Sequence, residues 1–184
     1  MDNKKFLSLL DKILSSLVKY NVRVKLIGGV AVALHNVARE TKDLDLVIKQ
    51  SMDATNNLIS ALEECGFGER DDLLEQIFGA DPHEEMYLFA MSRLMSTKQE
   101  FEGFVIDVFF DFGKINYDAI EAKPTKVRGY VIDTAIPSQL LKLKRAVNPP
   151  RDQDMKDIQT LEKLVNEEAQ PYKKSNIFGG GENG

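Results

Sequence analysis

The 184-residue chain has one cysteine, two histidines and no tryptophan. A lone Cys65 excludes an intramolecular disulfide, and with His35 and His83 it matches no familiar zinc-ligand spacing. Reducing cytosol is the compartment this predicts. No apolar run approaches the ~20 residues of a membrane span. After Lys4 and Lys5 the apolar residues are interrupted by Ser8, Asp11, Lys12, Ser15 and Ser16, unlike a signal-peptide core. An excess of basic charge is also missing. With 24 basic against 29 acidic residues, the net charge of -5 offers no general attraction to nucleic acid or anionic lipid. What the chain does have is enough apolar residue, 43%, to bury the core of one domain.

Phe6, Leu9, Leu10, Ile13, Leu17 and Val18 recur at helical spacing and predict an amphipathic helix over 3–20, with Asp2 or Asn3 as cap. Val22, Val24, Leu26 and Ile27 predict a strand that runs into a tight turn at Gly28-Gly29. A short helix is expected over 30–38. Leu44, Leu46 and Ile48 alternate with Asp43, Asp45 and Val47, the period of a two-faced strand. A helix over 53–65 and an acidic, loop-like stretch over 67–85 follow, and 86–91 suits strand or helix. Phe104 to Phe112 is a strongly apolar strand, and 127–132 suggests a strand pair about Gly129. From Pro137 the pattern is helical, with a stop at Pro149-Pro150 and a last helix over 152–168. This order predicts a mixed α/β (α+β) fold, organised as a core over 1–135, a helical segment over 136–169 packed on it, and a disordered tail over 170–184.

The chemistry concentrates in three places. A Gly-Gly turn between strand and helix presents backbone N–H groups with no β-carbon in the way of a phosphate. Asp43 and Asp45, two apart on a strand, leave the same face with Cα atoms roughly 6.5 Å apart. Oxygen-only ligands at that separation suit Mg²⁺, or Mn²⁺, shared with the phosphates of a nucleotide. Asp107 interrupts the run Phe104-Val105-Ile106-Asp107-Val108-Phe109-Phe110, where a buried, unpaired carboxylate is costly and needs a reason. Each piece alone has an ordinary reading: a turn, a solvated strand face, an edge-strand charge. The three together, in this order and on these elements, point to phosphoryl chemistry. His35 reads as a structural histidine before a phosphate contact, Cys65 as core packing, and Lys144 as a solvated helix charge.

Leu26-Ile27-Gly28-Gly29, then Thr41-Lys42-Asp43-Leu44-Asp45-Leu46-Val47-Ile48, then Val105-Ile106-Asp107-Val108, resembles the signature of nucleotidyltransferases with the DNA polymerase beta-like fold. Within that superfamily, Gly28 to His35 with Arg39 and Thr41 is similar to the abortive-infection toxin nucleotidyltransferases. So is Leu140-Leu141-Lys142-Leu143-Lys144 with Arg151, Asp154, Asp157 and Ile158. The resemblance implies a mixed sheet flanked by helices with a C-terminal helical segment. It implies a metal-dependent transfer of a nucleoside monophosphate from a nucleoside triphosphate to an acceptor hydroxyl, with release of pyrophosphate. By it, Gly28 and Gly29 hold the triphosphate, with Lys142 and Asp154 contributing to the nucleotide site; Arg39, by its own chemistry, is a further nucleotide-binding candidate that can stabilise developing charge on the transferred group. Asp43, Asp45 and Asp107 bind metal, and Asp107 acts as base for the acceptor. The acceptor is left open among a small molecule, a tRNA and a protein, and a cognate antitoxin is the partner a toxin-type member implies. One position departs: relatives often carry lysine directly before the acid matching Asp154, and this chain has Gln153. The competing expectation is a catalytically inactive nucleotide-binding or protein-interaction member of the same fold.

Overall fold

The computed structural model describes residues 2–35, 37, 39, 41–49, 51–78, 89–113 and 116–169. The predicted disordered tail lies outside the described residues, as do 79–85 of the acidic middle stretch and 86–88 of the strand or helix expected after it. Six strands form one mixed sheet: β1 (Val24–Leu26), β2 (Asp43–Ile48), β3 (Phe89–Met95), β4 (Val105–Gly113), β5 (Ala122–Val127) and β6 (Tyr130–Ala135), in the order β3-β4-β2-β1-β6-β5. β2 runs antiparallel to β1 and parallel to β4, β1 runs parallel to β6, and β3 and β5 pair antiparallel at the two edges.

Helix α1 (Asn3–Lys19) starts where Asp2 accepts a 2.7 Å hydrogen bond from the Lys5 N–H, and its apolar stripe from Phe6 to Leu17 is buried. The stripe packs on α3 (Met52–Glu64) and β6, and Phe6 stacks on Phe104 at 5.2 Å between ring centres, clamping the entry to β4. Helix α2 (Gly28–Leu34) begins at the glycine pair and ends earlier than the sequence pattern suggests. Helix α4 (Arg70–Phe78) corrects the loop expected over 67–85. Its acids, Asp71 and Asp72, occupy the first turn, where they favour a helix, and Leu73 and Ile77 are buried one turn apart. The density of acids hid that short apolar stripe. Helices α5 (Pro137–Arg145) and α6 (Asp152–Ala169) pack on each other, and α5 also touches α2. Among the described residues no helix is long and apolar enough to cross a membrane.

The core lies against the face of β2 and β4 that carries Leu44, Leu46, Ile106 and Val108, all fully buried. The period of two then turns Asp43, Asp45 and Asp107 to the other face.

Candidate active site

Gly28 has φ +60°, a left-handed conformation in which side chains are strained. A β-carbon at Gly28 would lie 2.0 Å from Oδ2 of Asp45, and one at Gly29 would lie 2.5 Å from Oγ1 of Thr41. The pair is therefore required by close approach as well as by turn geometry. The Gly29 N–H donates to Oδ2 of Asp45 at 3.3 Å, and the Ile27 N–H donates to the Asp45 carbonyl at 3.1 Å. The turn and the second strand acid are thus held together from both main chain and side chain.

Across the parallel pairing, Asp45 lies opposite Asp107, and Asp43 opposite Val105. Two carboxylates on neighbouring strands of one face repel. Burial first, and then the Asp107 charge, push the Asp45 carboxyl up to about 6, against the opposing pull of the Gly29 N–H and Lys144. Asp107 is itself 5% exposed.

Asp107 has a partner that sequence reasoning missed. From the edge strand β3, Arg93 sits opposite Asp107 and forks it, donating from Nε to Oδ1 at 2.9 Å and from a terminal nitrogen to Oδ2 at 2.8 Å. The hydrogen bonds to Asp107 raise the Arg93 guanidinium further above its already high value. A signal was present: in Phe89-Ala90-Met91-Ser92-Arg93-Leu94-Met95 a lone cation breaks an apolar strand, the mirror image of Asp107 in β4.

The helical side contributes a second ionic cluster. Lys144 donates to Oδ1 of Asp154 at 2.7 Å and lies 3.1 Å from Oδ2 of Asp157. Arg39 pairs with Asp157, Arg151 forks Asp154, and Gln153 donates to Oδ1 of Asp157 at 3.0 Å. Burial works to raise the Asp154 carboxyl, but hydrogen bonds from Arg151 and Lys144 outweigh it and hold it well below the usual carboxylate range. Hydrogen bonding to Asp154 first, and the charges of Asp154, Asp45 and Asp43 after it, raise Arg151. Arg151 therefore stands within electrostatic reach of the strand acids.

The residues named from sequence fall into two groups. Gly28, Gly29, Asp45 and Asp107 meet at one point of the sheet, with Asp43 on the same face. Arg39 and Asp154 belong to the helical cluster, and Arg39 approaches the turn: its Cζ lies 3.1 Å from where a Gly29 β-carbon would be. Lys142 is exposed, and Lys144 takes the buried place beside Asp154. Nε2 of His35 bonds the Ala135 carbonyl at 2.9 Å, and buried Cys65 donates to the Leu62 carbonyl at 3.2 Å, so both are structural.

The strand acids suit a hard divalent ion in type, since carboxylate oxygens are the ligands such an ion takes. Among the described residues, however, no three ligand-type side chains converge closely enough to hold a metal. Both Asp107 oxygens are taken by Arg93, and one Asp45 oxygen turns to Gly29.

Solved structures share this architecture. Over 91% of this chain and 88% of its own, the solution structure of the antibiotic-resistance factor ANT(2'')-Ia superposes with a TM-score of 0.57 at 13% identity. The fold is that of the polymerase-beta-like nucleotidyltransferases. The crystal structure of ANT(2'')-Ia with adenylyl-2''-tobramycin gives 0.55 at 12% identity, covering 88% of this chain and 90% of that one. A Thermotoga maritima protein assigned as a nucleotidyltransferase gives 0.54 at 16% identity, covering 91% and 96%. No protein-family model and no curated protein matches the sequence.

Proposed function

We propose that the chain is a metal-dependent nucleotidyltransferase that moves a nucleoside monophosphate from a nucleoside triphosphate to an acceptor hydroxyl. The observation that carries this reading is Asp45, bonded to the Gly29 N–H on one side and in register with Asp107 on the other. A glycine turn open to close approach and a set of strand acids thereby share one point, on a fold that ANT(2'')-Ia uses to hold adenylyl-2''-tobramycin.

In the reaction, the acceptor oxygen attacks the α-phosphorus in line with the oxygen bridging to the β-phosphorus. The new O–P bond forms as the bridging bond breaks, and pyrophosphate leaves with that electron pair. Asp107 is the base that takes the hydroxyl proton. Asp43 and Asp45 would hold Mg²⁺ or Mn²⁺ with Asp107, an ion that neutralises phosphate charge. Gly28 and Gly29 add no β-carbons to a turn that Asp45 and Thr41 already approach closely, and present its backbone to the phosphates. Arg151, forked on Asp154 but 71% exposed and within electrostatic reach of the strand acids, supplies positive charge for the triphosphate, and exposed Lys142 extends it along α5. Arg39 and Asp154 act from behind, fixing the helices on the turn.

The test is a screen of labelled triphosphates with Mg²⁺ or Mn²⁺ and mixed acceptors, comparing the parent with Asp43→Ala. Transfer by the parent, lost in the variant, is the expected outcome. The reading fails if no triphosphate binds in the presence of metal and if Asp43→Ala and Asp45→Ala leave metal affinity unchanged. The Arg93 fork on Asp107 favours the alternative of an inactive member of the fold, and triphosphate binding without transfer would establish it.

A further inference from the structure

Arg93 stands where three carboxylates call for positive charge. Its neighbours Ser92 and Leu94 are buried, at 4% and 0% exposure, so alternation puts the guanidinium on the face of Asp43, Asp45 and Asp107. It feels the charge of all three acids. The fork engages both Asp107 oxygens, which leaves neither free to turn to another cation without breaking a charge-assisted hydrogen bond. A guanidinium does not deprotonate, so Asp107 is released only by movement. Movement is open to it: the Arg93 side chain is 53% exposed on an edge strand, whereas its partner is 7% exposed. The Lys144–Asp154 and Arg39–Asp157 pairs of the helical cluster have no such exit, the first being 9% and 0% exposed.

We infer that Arg93 is the resident counter-cation of the strand acids and a positioning residue for Asp107, withholding that carboxylate from divalent metal until a triphosphate brings the metal in. The inference rests on the reading of Asp43, Asp45 and Asp107 as metal ligands. Its consequence is order. A triphosphate gives the departing guanidinium an anion to receive it, so metal loading at Asp107 is tied to nucleotide arrival, and free metal alone does not complete the site.

The experiment is a Mn²⁺ titration of the full chain, read by electron paramagnetic resonance, on the parent, Asp107→Asn, Arg93→Gln and the double variant. Without nucleotide, Asp107→Asn in the parent background should change Mn²⁺ affinity by less than about twofold, because Asp107 is already engaged. Arg93→Gln should tighten Mn²⁺ by about tenfold or more, and the double variant should lose that gain. With a non-hydrolysable triphosphate, the parent and Arg93→Gln should agree within about threefold. An unchanged Mn²⁺ affinity in Arg93→Gln, or an equal loss on Asp107→Asn in both backgrounds, overturns the inference. A thermal melt checks folding; should Arg93→Gln not fold, Arg93→Lys keeps the charge and loses the fork, and must show part of the tightening or the inference falls. A cycle that holds in a protein transferring no nucleotide keeps Arg93 in this role and sinks the enzymatic reading. Transfer with no cycle does the reverse.

Discussion

The strand acids and the helical cluster are built from the same residue types and lie within electrostatic reach of each other, yet their carboxylates move in opposite directions. Asp45, buried beside Asp107, is pushed up to about 6, while Asp154, forked by Arg151 and bonded to Lys144, is held well below the ordinary range. The difference is one of charge balance. On the helical side two acids, Asp154 and Asp157, meet three bases, and the Arg39–Asp157 pair is closed off from solvent at 10% and 2% exposure. On the sheet, among the described residues, the arginine that bonds Asp107 and feels the charge of Asp43 and Asp45 is the half-exposed Arg93. The first is an arrangement that holds α5 and α6 to the turn, and the second is short of cation, which is what the proposed metal and phosphate site would need.

The largest effect expected from breaking this contrast is on the sheet. Asp45→Asn keeps an oxygen for the Gly29 N–H but removes the charge, and transfer activity should fall by about 10³-fold or more, roughly 4 kcal/mol of barrier. A variant retaining a tenth of parental turnover with the same triphosphate would deny Asp45 its role.

On the helical side the corresponding break is Asp157→Ala, which strands a buried guanidinium whose Nε has no hydrogen-bond partner among the described residues. Removing one member of a buried pair costs about 3–5 kcal/mol. In a domain of this size that lowers the melting temperature by roughly 10 °C. A shift of only a degree or two would mean that the cluster is hydrated and does not hold the helices.

A pH series sharpens the comparison without breaking either side. The folded-state value for Asp45 lies above the unfolded one, so the folded chain binds the proton more tightly. Its contribution to stability is fully present below about 4 and is lost as pH rises through about 6. That is on the order of 2 kcal/mol in metal-free protein after allowance for partial exposure. Asp154 runs the other way, with stability present above its unfolded value and lost as pH falls below it. Thermal melts in chelator from pH 4 to 8 should therefore show a decline between 4 and 6 that Asp45→Asn abolishes. A decline identical in parent and variant would place its cause elsewhere.

Much of the sheet was legible because period-two alternation and glycine punctuation are local signals. Val24 to Gly29, Asp43 to Ile48 and Phe104 to Phe110 each announce strand, face and turn within a few residues. The acidic stretch before Phe78 was not legible, since charge density masked the two core residues of α4. At the site, what is carried on a single strand could be read and what depends on pairing between elements could not. Asp107 stood out in its apolar run. Arg93 interrupts its strand in the same way but was passed over, because its meaning depends on the β3 to β4 register, which no local pattern contains. His35 and Cys65 followed expectation because packing, the common role of such residues, is the role they have.

The smallest effect concerns two lysines two residues apart. On a helix that spacing is about 200° of rotation, so if one faces the core the other must face away. The sequence resemblance gave the nucleotide role to Lys142, and the ordinary habit of lysines on a helix left Lys144 to solvent. The structure buries Lys144 between Asp154 and Asp157 and exposes Lys142, because α6 packs on the face of α5 that also carries Leu140 and Leu141 into the core. Lys142→Ala should then move the melting temperature by no more than about 1 °C. Its expected effect is on triphosphate affinity, a weakening of several-fold, on the order of 1 kcal/mol, that shrinks with added salt as an exposed charge on a phosphate must. Lys144→Ala should lower the melting temperature by several degrees at every salt concentration tested, because its two acids are shielded from the ions that screen Lys142. Titrations of a non-hydrolysable triphosphate and thermal melts at two ionic strengths separate the two lysines. If both respond alike, the division between a closed helical cluster and an open nucleotide face does not hold along α5.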